Sequence, residues 1–215
     1  MDKIPLKDQI TTVVKNDLTF LHRFILNPAQ IGSITPSSRY LVRKMLSTPD
    51  WSRVRNVAEL GAGTGVLTEE LVKRLSSIGK LSVFELDTEL REKIEQRLQV
   101  HVYTDARQLS DLVSPHSLDL VISSLPWTTL SPDVRLKILR GILMSLKPHG
   151  QFIAYQYSLH MLKCFRSLFK SVSVSFVLAN LPPAFVYDCN SLREDVSLSD
   201  LEAISSLSTG HEDRK

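Results

Sequence analysis

Three acids and three glycines are the residues of this chain whose types and spacing most invite chemistry. "ELGAGTG" occupies residues 59–65, Glu85 stands twenty residues after Gly65, and Asp105 another twenty after Glu85. They fall at the ends of three short runs of β character: "VRNVAEL" (54–60), "LSVFELD" (81–87) and "VHVYT" (100–104). Glycines at such a point let the backbone turn tightly and come close to a ligand, and the helix start that follows offers free N–H groups. A carboxylate closing the second strand can accept both hydroxyls of an adenosine ribose, and one after the third lies beside where an adenine amine would be. Three strand ends then converge on one nucleoside. The glycine triplet alone is also compatible with a nicotinamide-dependent reductase, or with a plain turn flanked by two surface acids.

These residues need a scaffold, and the rest of the chain supplies its pattern. From residue 54 onward short β runs alternate with helical stretches, the mark of a parallel sheet wrapped by helices. Two further strands are "LDLVISS" (118–124) and "QFIAYQY" (151–157). Between them "SPDVRLKILRGILMSLKPHG" reads as a helix with Ser131 as cap, Pro132 in its first turn and a Pro-His-Gly exit. A helix near 159–169, the alternating "SVSVSFVL", the Pro182-Pro183 break and "AFVYD" complete the set, with the last two strands forming an antiparallel edge.

The N-terminal part differs in texture. Residues 9–26 carry apolar residues at helical spacing, and Thr35 and Pro36 suit the cap and first position of a second helix. The predicted organisation is a helical extension (1–50), a catalytic domain (51–190) and a polar tail (191–215). Residues 1–55 hold nine Lys/Arg against four Asp/Glu, while 56–215 hold seventeen against nineteen, so the basic excess lies at the N-terminal end. Such an end favours anionic surfaces, phospholipid or nucleic acid, and is equally compatible with ordinary solvated charge. Cys164 and Cys189 lack the spacing and histidine companions of a zinc site, so no metal is expected. No stretch approaches the ~18 apolar residues of a membrane span, and a cytoplasmic protein, peripheral on the inner membrane face, is expected.

Glu59 ahead of the glycines departs from the dinucleotide fingerprint, and the set resembles class I S-adenosylmethionine-dependent methyltransferases. That resemblance implies a Rossmann-like α/β fold with a seven-stranded, mostly parallel sheet, an antiparallel last strand and helices on both faces. It also implies S-adenosylmethionine as cofactor, held by Glu59, Gly61, Ala62, Gly63 and Gly65 under the methionine and ribose, Glu85 and Leu86 at the ribose, Asp105 and Ala106 at the adenine, and Ser124 near the methyl group.

In such enzymes the fourth strand ends beside the methyl group, which makes "SSLPWTTL" (123–130) the acceptor segment. Methylation of the conjugated amine of adenine calls for an Asn or Asp at the position of Ser124, whose acceptors draw out the ring nitrogen's lone pair. An aliphatic amine needs only to lose a proton. "FLHRFILNPAQIGSITPSSRYL", "AELGAGTGVLT", "SSLPW", "YQY" and "NLPPAFVY" together resemble bacterial phospholipid N-methyltransferases that act on phosphatidylethanolamine, from about residue 20 to 188. The departure is Ser124 and Trp127, where that group has Gly-Leu-Pro followed by an aliphatic residue. The resemblance implies an anionic membrane surface as partner and a phospholipid headgroup as substrate. Ser124, Trp127 and Tyr157 become the candidate catalytic residues. Ser37, Ser38 and Arg39 are candidates for binding a lipid phosphate, and Tyr40, Trp127 and Tyr187 for the pocket wall. Capping explains "TPSSR" equally well, core packing explains the aromatic residues, and residues 9–26 serve as membrane helix or as lid. An rRNA adenine methyltransferase and a natural-product methyltransferase are the alternative functions, with nucleic acid the less expected partner.

Overall fold

The computed structural model describes residues 38–75, 79–194 and 196. The amphipathic stretch 9–26, Thr35, Pro36, Ser37 and the tail beyond 196 lie outside the described residues.

In chain order the elements are α1 (Arg39–Met45), β1 (Asn56–Leu60), α2 (Val66–Arg74), β2 (Lys80–Phe84), α3 (Thr88–Leu98), β3 (Val102–Tyr103), a 3-10 turn (Ala106–Gln108), α4 (Leu109–Leu112), β4 (Leu118–Ser123), α5 (Pro132–Ser145), β5 (Leu146–Gln156), α6 (Leu162–Leu168), β6 (Phe169–Val177) and β7 (Ala184–Leu192). The strands form one seven-stranded sheet in the order β3-β2-β1-β4-β5-β7-β6. Strands β1 to β5 pair in parallel, whereas β7 runs antiparallel to both β5 and β6. The expected Rossmann-like architecture is therefore present. The last strand is not at the edge; it slots between β5 and β6, and β6 closes the sheet.

The central strands are apolar on both faces because both are covered. Ala58, Leu60, Val121, Phe152 and Ala154 belong to a core with Trp127, Phe165, Phe169 and Tyr187. Their alternating neighbours Val57, Leu120, Ile122 and Ile153 pack with Leu67, Leu71 and the buried face of α1, Leu41, Val42 and Met45. Helix α1, which the sequence groups with the extension, thus covers the sheet. It starts at Arg39 with Ser38 as cap, the Ser38 hydroxyl accepting from Leu41 N at 3.2 Å. The helix read from Ser131 to the Pro-His-Gly exit ends at Ser145, and Leu146–Gly150 already belong to β5. A register shift between Leu118↔Leu146 and Leu120↔Gln151 accommodates Pro148, which has no N–H for the ladder.

The strand order reverses between β1 and β4. Ligands of open α/β sheets bind at such a switch point, outside the carboxyl ends of the strands. The loops after β1, β2, β3 and β4 all emerge there.

Candidate active site

The loop after β1 is shaped by its glycines. Gly61, Gly63 and Gly65 have φ of +80°, +57° and +78°, the left-handed region that costs a residue with a Cβ about 1–2 kcal/mol. Space matters as much as conformation. A Cβ at Gly65 would stand 2.9 Å from Ile94 Cγ1, and one at Gly61 3.0 Å from Leu125 Cδ2, whereas Gly63 has nothing within 4 Å. Two glycines therefore admit neighbouring side chains, and the third faces open space.

Glu85 turns its carboxylate toward this bend. One oxygen accepts from Gly63 N at 2.7 Å and the other from Asp87 N at 2.9 Å, while Gly61 N and Ala62 N donate to Phe84 O. The ends of β1 and β2 are thus tied through both backbone and carboxylate. Asp105, after β3, caps the 3-10 turn and forms an ion pair with Arg107 at 2.5 Å, which holds its carboxyl below the usual range. Leu86 is exposed, Ala62 is buried beside Ile94, and Ala106 packs at the edge of the main core.

Glu59 is the anomaly of the site. It is fully buried, and neither carboxylate oxygen has a hydrogen-bond partner. Burial pushes its pKa up to about 8, and the nearby Glu85 charge adds to the rise. Thr68 is close enough to moderate that rise, yet its hydroxyl makes no hydrogen bond of good geometry. A buried acceptor pair left unmatched costs free energy, and a cationic or hydrogen-bond-donating ligand would relieve it.

The loop after β4 joins the same edge, where Ser124 N donates to Leu60 O at 2.9 Å. Thr128 and Thr129 are exposed, but several of its polar groups are tied within the protein. Ser123 Oγ accepts from Trp127 Nε1 at 3.0 Å and from Leu125 N; Leu125 O accepts from Gln156 Nε2 at 2.8 Å; Trp127 O and Leu130 O accept from the Arg135 guanidinium at 2.9 and 2.8 Å. Pro126 O accepts from Thr129 N.

Comparison with known proteins agrees with this geometry. A family model described as a methyltransferase domain matches residues 57–150. An ornithine lipid N-methyltransferase from Singulisphaera acidiphila is 29% identical over 194 residues, 84% of this chain and 99% of that protein. The chain is an S-adenosylmethionine-dependent methyltransferase. Among solved structures, the N-methyltransferase NodS from Bradyrhizobium japonicum, in complex with S-adenosylhomocysteine, has a TM-score of 0.62 at 16% identity, covering 80% of this methyltransferase and 97% of that chain. An rRNA methylase from Streptococcus thermophilus has 0.56 at 19%, covering 75% and 100%. At these identities the likeness is one of fold.

The methyl donor is S-adenosylmethionine, and the residues at the switch point fit it. Glu59 supplies unmatched buried acceptors, Gly63 leaves room, and Glu85 is already aimed across the gap.

The aromatic candidates fare differently. Trp127 has no exposed surface; its indole is ringed edge-on by Phe152 and Phe165, each at 6.0 Å, and its one donor is spent on Ser123. In this methyltransferase it is a core residue and not a pocket wall. Tyr187 is equally buried, with its hydroxyl donating to Ser158 O at 2.7 Å and its pKa pushed up to about 12. It too leaves the candidate pocket, because β7 lies inside the sheet. Tyr157 is half-buried against Tyr155, and burial raises its phenol above the usual range, so it keeps its proton. Ser38 is committed to α1, its N–H donating to Asn180 Oδ1 at 3.0 Å, and Arg39 and Tyr40 are exposed beside it.

Gln156, Arg135 and Asn180 escaped the sequence reading, although each carried a signal. Gln156 follows Phe152 and Ala154 at period two and so takes a core position. Arg135 shares the buried stripe of Ile138, Leu139 and Ile142. Asn180 opens "NLPP", where only its neighbours drew notice.

Proposed function

We propose that this methyltransferase acts on the aliphatic amine of a membrane-lipid headgroup. The observation that carries the reading is the closure of the β4 loop: the Ser123 hydroxyl and the carbonyls of Leu125, Pro126, Trp127 and Leu130 are all engaged within the protein. A conjugated ring amine needs acceptors offered outward from that segment; a localised lone pair needs only a place to sit. The curated relative, an ornithine lipid N-methyltransferase matched over 84% of this chain, supports a lipid amine without singling out phosphatidylethanolamine.

When bound, S-adenosylmethionine supplies a methyl carbon made electrophilic by a positive sulfonium. Glu59 and the Gly61–Gly65 bend hold the methionine end, Glu85 the ribose and Asp105 the adenine edge. Ser124 and the rigid loop behind it align the incoming nitrogen, so the protein's contribution is chiefly positioning. Tyr157, which stays protonated, orients by donating a hydrogen bond; proton loss goes to water.

Incubation with methyl-labelled cofactor and vesicles containing either phosphatidylethanolamine or ornithine lipid tests this. Label is expected in the amine of at least one lipid. Cofactor binding without labelled lipid, together with labelled rRNA, would refute it.

A further inference from the structure

Of the nine large apolar side chains exposed among the described residues, four lie around the β6–β7 turn, and they include the two most exposed. The turn between β6 and β7 (178–183) carries Leu178 and Leu181, exposed by 74% and 79%, and beside it stand Phe176 at 57% and Tyr40 at 62%. Isolated surface leucines are ordinary, but a cluster on a segment without charge is not. Residues 176–184, "FVLANLPPA", contain no ionisable side chain.

The turn is held with these leucines outward. Asn180, between them, is buried: its Oδ1 accepts from Ser38 N at 3.0 Å and its Nδ2 donates to Pro182 O at 2.7 Å. One inward anchor thus presents the two leucines and draws the first turn of α1, with exposed Tyr40 and Arg39, to their side.

Its position gives the cluster meaning. Val177 pairs with Ala184 and Phe185 with Gln156, the last residue of β5, so the turn projects from the carboxyl edge of the parallel strands. Gln156 in turn holds Leu125 of the acceptor loop. The apolar turn and the acceptor loop therefore share one edge.

We propose that the β6–β7 turn is a membrane-contact element, with Leu178 and Leu181 entering the acyl region of a bilayer beside the acceptor site. This rests on the lipid-amine reading, which requires the headgroup to reach the methyl group while its chains remain in the membrane. The chemistry matches a bilayer: leucines for hydrocarbon, a tyrosine for the interfacial belt and Arg39 for anionic headgroups. It also gives membrane contact a place besides residues 9–26, which the sequence reads as membrane helix or as lid.

The test uses the full chain, vesicles of phosphatidylglycerol and phosphatidylethanolamine, and the double variant Leu178→Ser/Leu181→Ser. Loss of two leucine insertions should weaken vesicle binding by roughly tenfold to a hundredfold. Cofactor titration and methylation of a short-chain lipid dispersed below its micellar concentration should stay unchanged. In a Leu178→Trp variant, brominated acyl chains should quench the added fluorescence. Vesicle binding as strong in the double variant as in the parent, or a change confined to self-association, overturns the proposal. Leucine-dependent vesicle binding without methylation of phosphatidylethanolamine or of ornithine lipid, in vesicles or in short-chain form, supports the contact and refutes the lipid-amine reading.

Discussion

The two halves of the site are built on opposite plans. Around the ends of β1 and β2 the backbone is opened: three glycines sit at positive φ, a carboxylate reaches across to an amide, and Glu59 is buried with its oxygens unmatched. Behind β4 the loop is tied down, with four loop carbonyls and a serine hydroxyl satisfied from within. One half keeps polar capacity in reserve for a ligand; the other spends it on rigidity. A methyltransferase needs both, since a charged nucleoside must be gripped while an amine must only be aimed.

The largest effect that could break this contrast lies behind β4. Replacing Arg135→Met would leave the Trp127 and Leu130 carbonyls without their buried donor. Each orphaned group costs ~1–3 kcal/mol, partly offset because a buried charge is removed, so a loss of about 3 kcal/mol is expected in urea unfolding. In the surviving folded fraction, cofactor affinity should hold while kcat falls at least several-fold. Equal losses of cofactor affinity and turnover would show that the halves are not separable.

Glu59 sharpens the other side. Its folded carboxyl titrates at about 8 against an ordinary value of 4.5, so its contribution to the stability of the ligand-free protein is complete below about pH 4.5 and is lost as pH rises through about 8. Between about pH 5 and pH 8 the parent should lose about 3–4 kcal/mol that Glu59→Gln does not lose, read from urea midpoints at the two pH values. The variant should also bind cofactor less tightly. A parallel pH dependence in parent and variant would mean that Glu59 is not held neutral.

The smallest effect concerns Trp127. Trp127→Phe removes the donor to Ser123 and leaves a small void, for about 1–2 kcal/mol in thermal unfolding. Because the side chain is core, KM for the amine should hardly move. A large KM change would return Trp127 to the pocket.

Much of the first half was legible from residue types. Positive φ calls for glycine, and an acid at the end of the neighbouring strand is placed by spacing alone, so the bend at "ELGAGTG" and the approach of Glu85 to it were readable in advance. The second half misled where an aromatic residue read as a pocket wall. Trp127 lies in a loop and Tyr187 within β7, at depths that depend on which strands become neighbours, and sequence spacing carries no such depth. The polar residues that do tie the loop, Gln156 and Arg135, were hidden in apolar stripes, where an apolar residue is the ordinary expectation.

By itself the sequence determined the alternation of strands and helices, the glycine bend and the acids at the ends of the neighbouring strands, because these follow from local backbone conformation and from side-chain periodicity. Only the tertiary structure decided that β7 lies between β5 and β6, that Trp127 and Tyr187 are buried, and that an uncharged turn projects beside the acceptor loop. Those outcomes depend on contacts between residues far apart in the chain, and burial is a property of the assembled sheet that no single segment contains.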